Sequence, residues 1–195
     1  MTLMMSPHCK RIFFKALGIF LAGCAALMTV AAGTVSAAGP ERQDAPPPGG
    51  MAVPTRKSPV HLYFTDRSSY FLRAEQRVVL HPEEPLGLAV SIVEALIKGP
   101  QKGSLKTIPA NTRLNAIYIT PDRTCYVDLS EAVRKNHPGG SKSELLTIYS
   151  LVNSLVLNVP EIARVQILIE GNQAPTLAGH VDLELPVSAD MLLIR

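Results

Sequence analysis

The chain has no tryptophan, and aromatic residues fill only 5% of its 195 positions. Its core must therefore be built mainly from Leu, Ile and Val, which the 47% hydrophobic content supplies. Cysteine is just as scarce. Of the three present, Cys9 and Cys24 fall in the first 40 residues, which leaves Cys125 alone in the remainder. A single cysteine excludes an internal disulfide. It lies in the alternating run TCYVDL, where a small buried side chain is the expected role, ahead of a reactive thiol. Acidic residues are missing altogether from residues 1–40. That gap accounts for the whole formal charge of +3: with Lys10, Arg11 and Lys15 set aside, 16 basic residues face 16 acidic ones. A balanced domain has no cationic excess with which to neutralise phosphates, so nucleic acid is excluded as a partner.

The groupings that carry chemistry are thin as well. His61, His81, His137 and His180 stand at no metal-ligand spacing from one another or from cysteine, so neither a metal nor a cofactor is expected. Ser68, Ser69, Ser150 and Ser154 lack a Gly-x-Ser-x-Gly context. Gly139-Gly140 precedes a helix start and offers backbone amides to an anion, but without a lysine-threonine phosphate-loop pattern it reads as a flexible turn. Asp128 and Glu131 flank Ser130 at a strand end and could form the paired carboxylates of a glycan hydrolase. The competing reading is that Asp128 or Ser130 caps a turn after the strand. No catalytic residue is expected.

What the sequence does hold is ordered along its length. Lys10, Arg11 and Lys15 precede the apolar run 16–37, which ends in Val-Ser-Ala. A positive start, an apolar middle and small residues at the end mark a secretory signal over residues 1–37, cleaved after Ala37. Two alternatives stay open. Leu21-Ala22-Gly23-Cys24 resembles a lipobox, which would place a lipid on Cys24, and the apolar run is long enough to be an uncleaved anchor. All three export residues 38–195, to the periplasm or the outer face of the cytoplasmic membrane. Residues 38–59 carry Pro40, Pro46, Pro47, Pro48, Pro54 and Pro59 and read as an extended spacer.

The folded domain is expected over 60–195. VHLYFTD (60–66) alternates as a strand, and YFLRAEQRVVL (70–80) returns as extended chain. Helical periodicity predicts a first helix over 86–98, stopped by Gly99-Pro100. TRLNAIYIT (112–120) and TCYVDLS (124–130) form a hairpin around Pro121-Asp122-Arg123. Ser141-Lys142-Ser143-Glu144 matches a capping box opening a second helix, 142–158. A strand, ARVQILIEG (163–171), follows, then a last short extended piece around HVDLELPV. This order predicts an α+β two-layer sandwich, a small mixed sheet with two helices on one face.

Taken together, several of these pieces resemble the GerMN domain, the sporulation and germination module of the GerM family. They are Val60–Asp66, Glu94-Ala95-Leu96-Ile97-Lys98-Gly99-Pro100, Ile108-Pro109-Ala110-Asn111-Thr112-Arg113-Leu114, Tyr126-Val127-Asp128-Leu129-Ser130 and Val165–Gly171. The resemblance covers most of residues 60–190. It implies a fold similar to the ring-building modules of bacterial envelope machines, and it implies no catalytic residues. The expectation is a non-enzymatic exported envelope protein that binds another envelope protein, itself or peptidoglycan. Lys98, Lys102 and Lys106 decorate the loop after the first helix as either an interaction surface or a solvated loop. The alternative is a peptidoglycan hydrolase, or its activator, working through Asp128 and Glu131.

Overall fold

In the computed structural model, which describes residues 55–195, the chain opens with a long hairpin: β1 (Thr55–Thr65) pairs antiparallel with β2 (Leu72–Pro82). The readings of the N-terminus, Cys24 among them, lie outside the described residues, as does the spacer up to residue 54. β1 begins five residues before the expected Val60, with Pro59 inside it. The reason is parity. His61, Tyr63 and Thr65 turn their backbone groups away from β2, toward side chains and loops elsewhere. Pro59 shares that parity, so its missing N–H costs no ladder bond.

Between the strands, Asp66 accepts hydrogen bonds from the Ser68 hydroxyl and the Tyr70 and Phe71 N–H groups. The Ser68 bond leads in holding its carboxyl below the usual range.

Helix α1 (Pro85–Lys98) starts with proline at its first position, where no N–H is needed. Ala89, Ile92, Val93, Ala95 and Leu96 form its buried face. Its end is built from two sides. Gly99 adopts φ 96° and ψ 179° and returns its N–H to the carbonyls of Ala95 and Leu96. From β2, Arg77 lies over Phe64 and donates Nη2 to the Gly99 carbonyl at 2.6 Å, a cation at the negative end of the helix dipole. Gly99→Ala is expected to lose roughly 1–3 kcal/mol, because this backbone region is open essentially to glycine alone. The new methyl would meet only the Lys106 stem at 3.4 Å, an ordinary contact, so urea unfolding of the variant reads backbone strain rather than crowding.

A second sheet follows in the order β3 (Leu114–Ile119), β4 (Thr124–Leu129), β5 (Arg164–Ile169), β6 (Asn172–Gln173). β3 and β4 are the expected hairpin, with a register shift between Leu114 and Ala116. In its turn, Asp122 accepts the hydroxyls of Thr120 and Thr124 and a bond from Arg164, and these lower its pKa to about 2. β4 and β5 run parallel, because the short helix α2 (Ala132–Lys135) and the long helix α3 (Ser141–Val156) cross over between them. β5 turns into β6 through Glu170 and Gly171, with φ 50° and 76°, the two positive angles of a type I′ turn.

The α+β class stands, and both helices pack on both sheets. The extended pieces nevertheless divide into two sheets where one was expected, since the outer edge of β1 is occupied by side chains of α3 and of Asn158 just past it rather than by another strand. α2 is an additional helix, and the HVDLELPV region makes only the isolated bridges Val165–Val187 and Thr176–Asp182. One large apolar core joins Leu62, Phe64, Ile92, Leu96, Val127, Leu151 and Ile167. Cys125 lies within it as expected, fully buried, and burial pushes its thiol up to about 12.

The expected capping box does not form. Gly140 with φ 84° is the N-cap, α3 starts at Ser141, and no side chain caps it. Glu144 is fully buried and reaches out of the helix altogether. Its Oε1 accepts the N–H groups of Leu177 (3.0 Å) and Ala178 (2.7 Å), and its Oε2 accepts the N–H and ring Nδ1 of His180. Two positive-φ glycines begin the helix one residue early, so Ser141 is its first turn instead of its cap.

Candidate functional site

The surface where polar chemistry gathers is the end of the domain that holds the β1–β2 turn. The chain after α1 is led there by Glu75 of β2. This carboxylate is buried and accepts the N–H of Gln101 and of Lys102 while holding Arg77 at 2.7 Å. Burial works to raise its pKa; Arg77 and the two N–H groups outweigh it and keep the carboxyl below its usual range. Leu105 then donates its N–H to the Thr65 carbonyl, and Arg67 donates Nε to the Gly103 carbonyl at 3.0 Å.

Two depressions flank that junction. One is a cleft of about 460 Å³ lined by Thr65, Leu105, Lys106, Pro138, Lys142 and Leu146 among others. The other is a recess of about 440 Å³ lined only by Asp66, Arg67, Ser68, Arg73, Lys102, Gly103 and Ser104. Arg67, Arg73, Lys102, Lys106 and Lys142 are all exposed, and Arg195 stacks over Phe71 at 3.8 Å beside Lys142. Asp66 is the only carboxylate lining either depression, and its oxygens are already engaged in the turn. A chain that is neutral from Ala38 onward thus carries a local cationic end.

The cleft wall is firm. Gly139 donates to His137 Nδ1 at 3.0 Å, which leaves Nε2 facing Thr147 Oγ1 at 3.2 Å; Thr147 in turn donates to the Thr107 carbonyl. Ser150 donates to the Tyr63 carbonyl, so the 2.7 Å contact between Thr107 and Ser150 is a bond given by Thr107. Further along α3, Ser154 accepts the Tyr63 N–H, and in the turn just past the helix Asn158 both accepts the His61 N–H and donates to the His61 carbonyl. Residues 150, 154 and 158 recur every four positions, one helical row set along one strand edge.

The residues singled out in the sequence are distributed differently from their expected grouping. Lys102 lines the recess and Lys106 the cleft, on opposite sides of the Arg67–Gly103 contact. Lys98 is exposed at the end of α1 and lines neither. Asp128 spends Oδ1 on the Gly171 N–H at 2.8 Å, and Ser130 accepts the Arg113 N–H. Neither caps a local turn; both tie distant segments. Glu131 donates its N–H to Glu170 and its carboxylate stands 4.0 Å from Arg134. Asp128 and Glu131 line neither depression. Among the described residues, no group of three or more His, Cys, Asp or Glu is placed to hold a metal ion, and no helix is long and apolar enough to cross a membrane. Arg67, Arg73 and Lys142 were missed because they are separated in sequence; only the pairing of β1 with β2 and the return of the 103–107 loop bring them together.

Residues 61–175 match the family model described as Germane, sporulation and spore germination. The first GerMN domain of the sporulation protein GerM from Bacillus subtilis is similar in fold, at 18% identity over 69% of this chain and 98% of that one, with a TM-score of 0.53. The tandem GerMN domains of the same protein share 20% identity over 70% of this chain at a TM-score of 0.53. This chain covers 46% of that tandem, about half its length. A lipoprotein candidate from Clostridium perfringens shares 24% identity over 68% of this chain and 87% of its own, at the lower TM-score of 0.49. No match is found among curated proteins.

Proposed function

The chain belongs to the Germane family of sporulation and spore germination domains, and on that premise we propose that it is a non-enzymatic, exported envelope protein whose domain serves assembly. It is delivered through the N-terminal apolar segment, set off by the proline-rich spacer, and docks an envelope protein, a second copy or the wall. The observation that carries this reading is the cationic end. Five exposed basic side chains surround two depressions whose only carboxylate is consumed internally. Such a surface attracts an anionic partner and screens out a cationic one. The carboxylates of Glu75, Glu144 and Asp128 are all spent on backbone N–H groups of distant segments.

The test is crosslinking of the tagged full-length protein in cells, followed by identification of what it captures. Reversing charge at Arg73, Lys102 and Lys106 together is expected to reduce capture roughly tenfold, three exposed pairs at a few tenths to 1 kcal/mol each. Lys98→Glu, outside both depressions, is expected to leave capture unchanged. Equal loss from both variants, or from neither, would remove the cationic end from the account. Clearing of purified wall by the folded protein would replace assembly with hydrolysis.

A further inference from the structure

The recess beside the β1–β2 turn holds more hydrogen-bond donors than the protein itself uses. Arg67, Arg73 and Lys102 share its lining with one carboxylate, Asp66, whose oxygens already accept the Ser68 hydroxyl and the Tyr70 and Phe71 N–H groups. Three cations against one acid leave a local excess of two positive charges. The next carboxylate along β2, Glu75, is buried and spent on Arg77 and on the Gln101 and Lys102 N–H groups. Arg67 is fixed by its Nε bond to the Gly103 carbonyl at 3.0 Å. Gly103 makes room for that fork: its φ is 76°, and a methyl in its place would stand 3.3 Å from Arg67 Nη2. Among the described residues, the two terminal nitrogens of Arg67, the Arg73 guanidinium and the Lys102 ammonium make no hydrogen bond or ion pair. The Gly103 and Ser104 N–H groups and the Ser104 hydroxyl are likewise unpaired there.

From this surplus we propose that the recess binds a phosphate monoester, gripped by Arg67 and Arg73 with Lys102 and Ser104 beside them. The inference deepens the assembly reading above and rests on it, naming the chemistry of the anionic partner. Charge and shape both select that group. At neutral pH a phosphate monoester carries close to two negative charges, which match the local excess, whereas a carboxylate carries one. The donors come from three separate segments: the turn, β2 and the 102–104 loop. The oxygens of a tetrahedral phosphate diverge to meet them, while those of a carboxylate lie in one plane. Guanidinium forks pair with phosphate oxygens two at a time, which a lysine in the same place cannot do. The recess, about 440 Å³, exceeds one phosphate and leaves space for the atoms esterified to it. The charge balance of the whole domain excludes a long polyanion, which needs cations along its length, but it permits one phosphate at a local excess.

The experiment uses the full chain as isolated from the envelope in mild detergent, titrated with glycerol phosphate at fixed ionic strength while its backbone amide signals are followed by NMR. The Gly103 and Ser104 amides are expected to shift to saturation, and acetate is expected to need at least tenfold higher concentration for the same shift. Arg67→Lys keeps the charge but loses the fork and its hold on Gly103. Arg73→Lys keeps the charge and touches no internal hydrogen bond, so the fold is not at risk. Both are expected to weaken binding at least tenfold, with the amide spectrum elsewhere unchanged. Lys98→Gln, outside the recess, is expected to leave it as it was. A short-chain phosphatidic acid, which carries the same ester on a lipid, separates the sources. Binding at least tenfold tighter than glycerol phosphate assigns the group to a lipid headgroup, and equal binding assigns it to a soluble ester. Acetate as effective as glycerol phosphate, or no shift at Gly103 and Ser104, would overturn the proposal. An affinity that both lysine variants leave intact would replace the recess with a diffuse basic surface and leave the assembly reading standing. Phosphate bound as expected, alongside capture in cells that survives charge reversal at Arg73, Lys102 and Lys106, would instead strike the assembly reading and keep the recess.

Discussion

Replacing Glu144 by alanine lowers the unfolding free energy by about 3 kcal/mol, a fall of roughly 10 °C in melting temperature for a domain of this size. The carboxylate is fully buried, yet none of its cost is left uncompensated: three backbone N–H groups and the His180 ring converge on its two oxygens. Alanine leaves those donors facing a void, and the 177–180 segment loses its only polar tie to α3. Glu144→Gln is the milder variant. Its remaining oxygen can still serve Leu177 and Ala178, while its NH₂ opposes the donors of His180. The same residue makes stability depend on pH. Burial works to raise the Glu144 pKa, but the converging N–H groups win and set it below its ordinary value near 4.5. A carboxyl whose pKa is lower folded than unfolded contributes fully above about pH 5. That contribution is lost as pH falls through the lower, folded value. Denaturant titrations at pH 7, 5 and 3 should show the wild-type and Glu144→Gln curves converging in acid. Parallel curves would disprove the role.

The second large effect is expected from the helix row that closes β1. Ser150→Ala with Ser154→Ala removes the donor to the Tyr63 carbonyl and the acceptor for the Tyr63 N–H, both in the buried interior. It also strands the Thr107 hydroxyl. Each unpaired buried group costs about 1–3 kcal/mol, so the pair should cost about 2–5 kcal/mol, measured by urea unfolding. The two single substitutions share one strand residue, and their effects should not simply add. Hydrogen exchange gives an independent check: the Tyr63 amide, slow in the wild type, should exchange faster in Ser154→Ala, while the Val127 amide in the second sheet reports only the global change. If both amides accelerate alike, the row is ordinary packing and not a substitute for a neighbouring strand.

That row also marks how far the sequence could be read. The apolar positions of α3 announced a helix, and Gly99-Pro100 announced the end of α1, because periodicity and φ restrictions act over a few residues. Ser150, Asn153, Ser154 and Thr147 stand among those apolar positions with no local pattern to mark a role. They are buried, and each has a partner 37 or more residues away in the chain. Glu144 misled for the same reason: its local pattern spelled a cap, while its actual partners are 33 to 36 residues downstream. Pro59 misled in the opposite sense, since a proline is compatible with a strand once the missing N–H falls on the side that β2 does not use. The cationic end was legible only in part. Lys102 and Lys106 were visible as a basic loop, whereas Arg67, Arg73 and Lys142 join them only through the hairpin pairing and the start of α3.

The direction of β1 has a mechanical consequence. The chain enters the domain at Thr55, and the basic end lies past Thr65, about 35 Å away along a strand of eleven residues. If the upstream chain is held and that end is engaged, tension runs lengthwise through β1. The load is then shared at once by the β2 ladder and by the bonds from Ser150, Ser154 and Asn158, so they must shear together instead of unzipping one at a time. A hairpin entered at its tip would peel open under far less force. This one is strung like a rope under a clamp, which suits a part that has to stay folded while the structures at its two ends move apart.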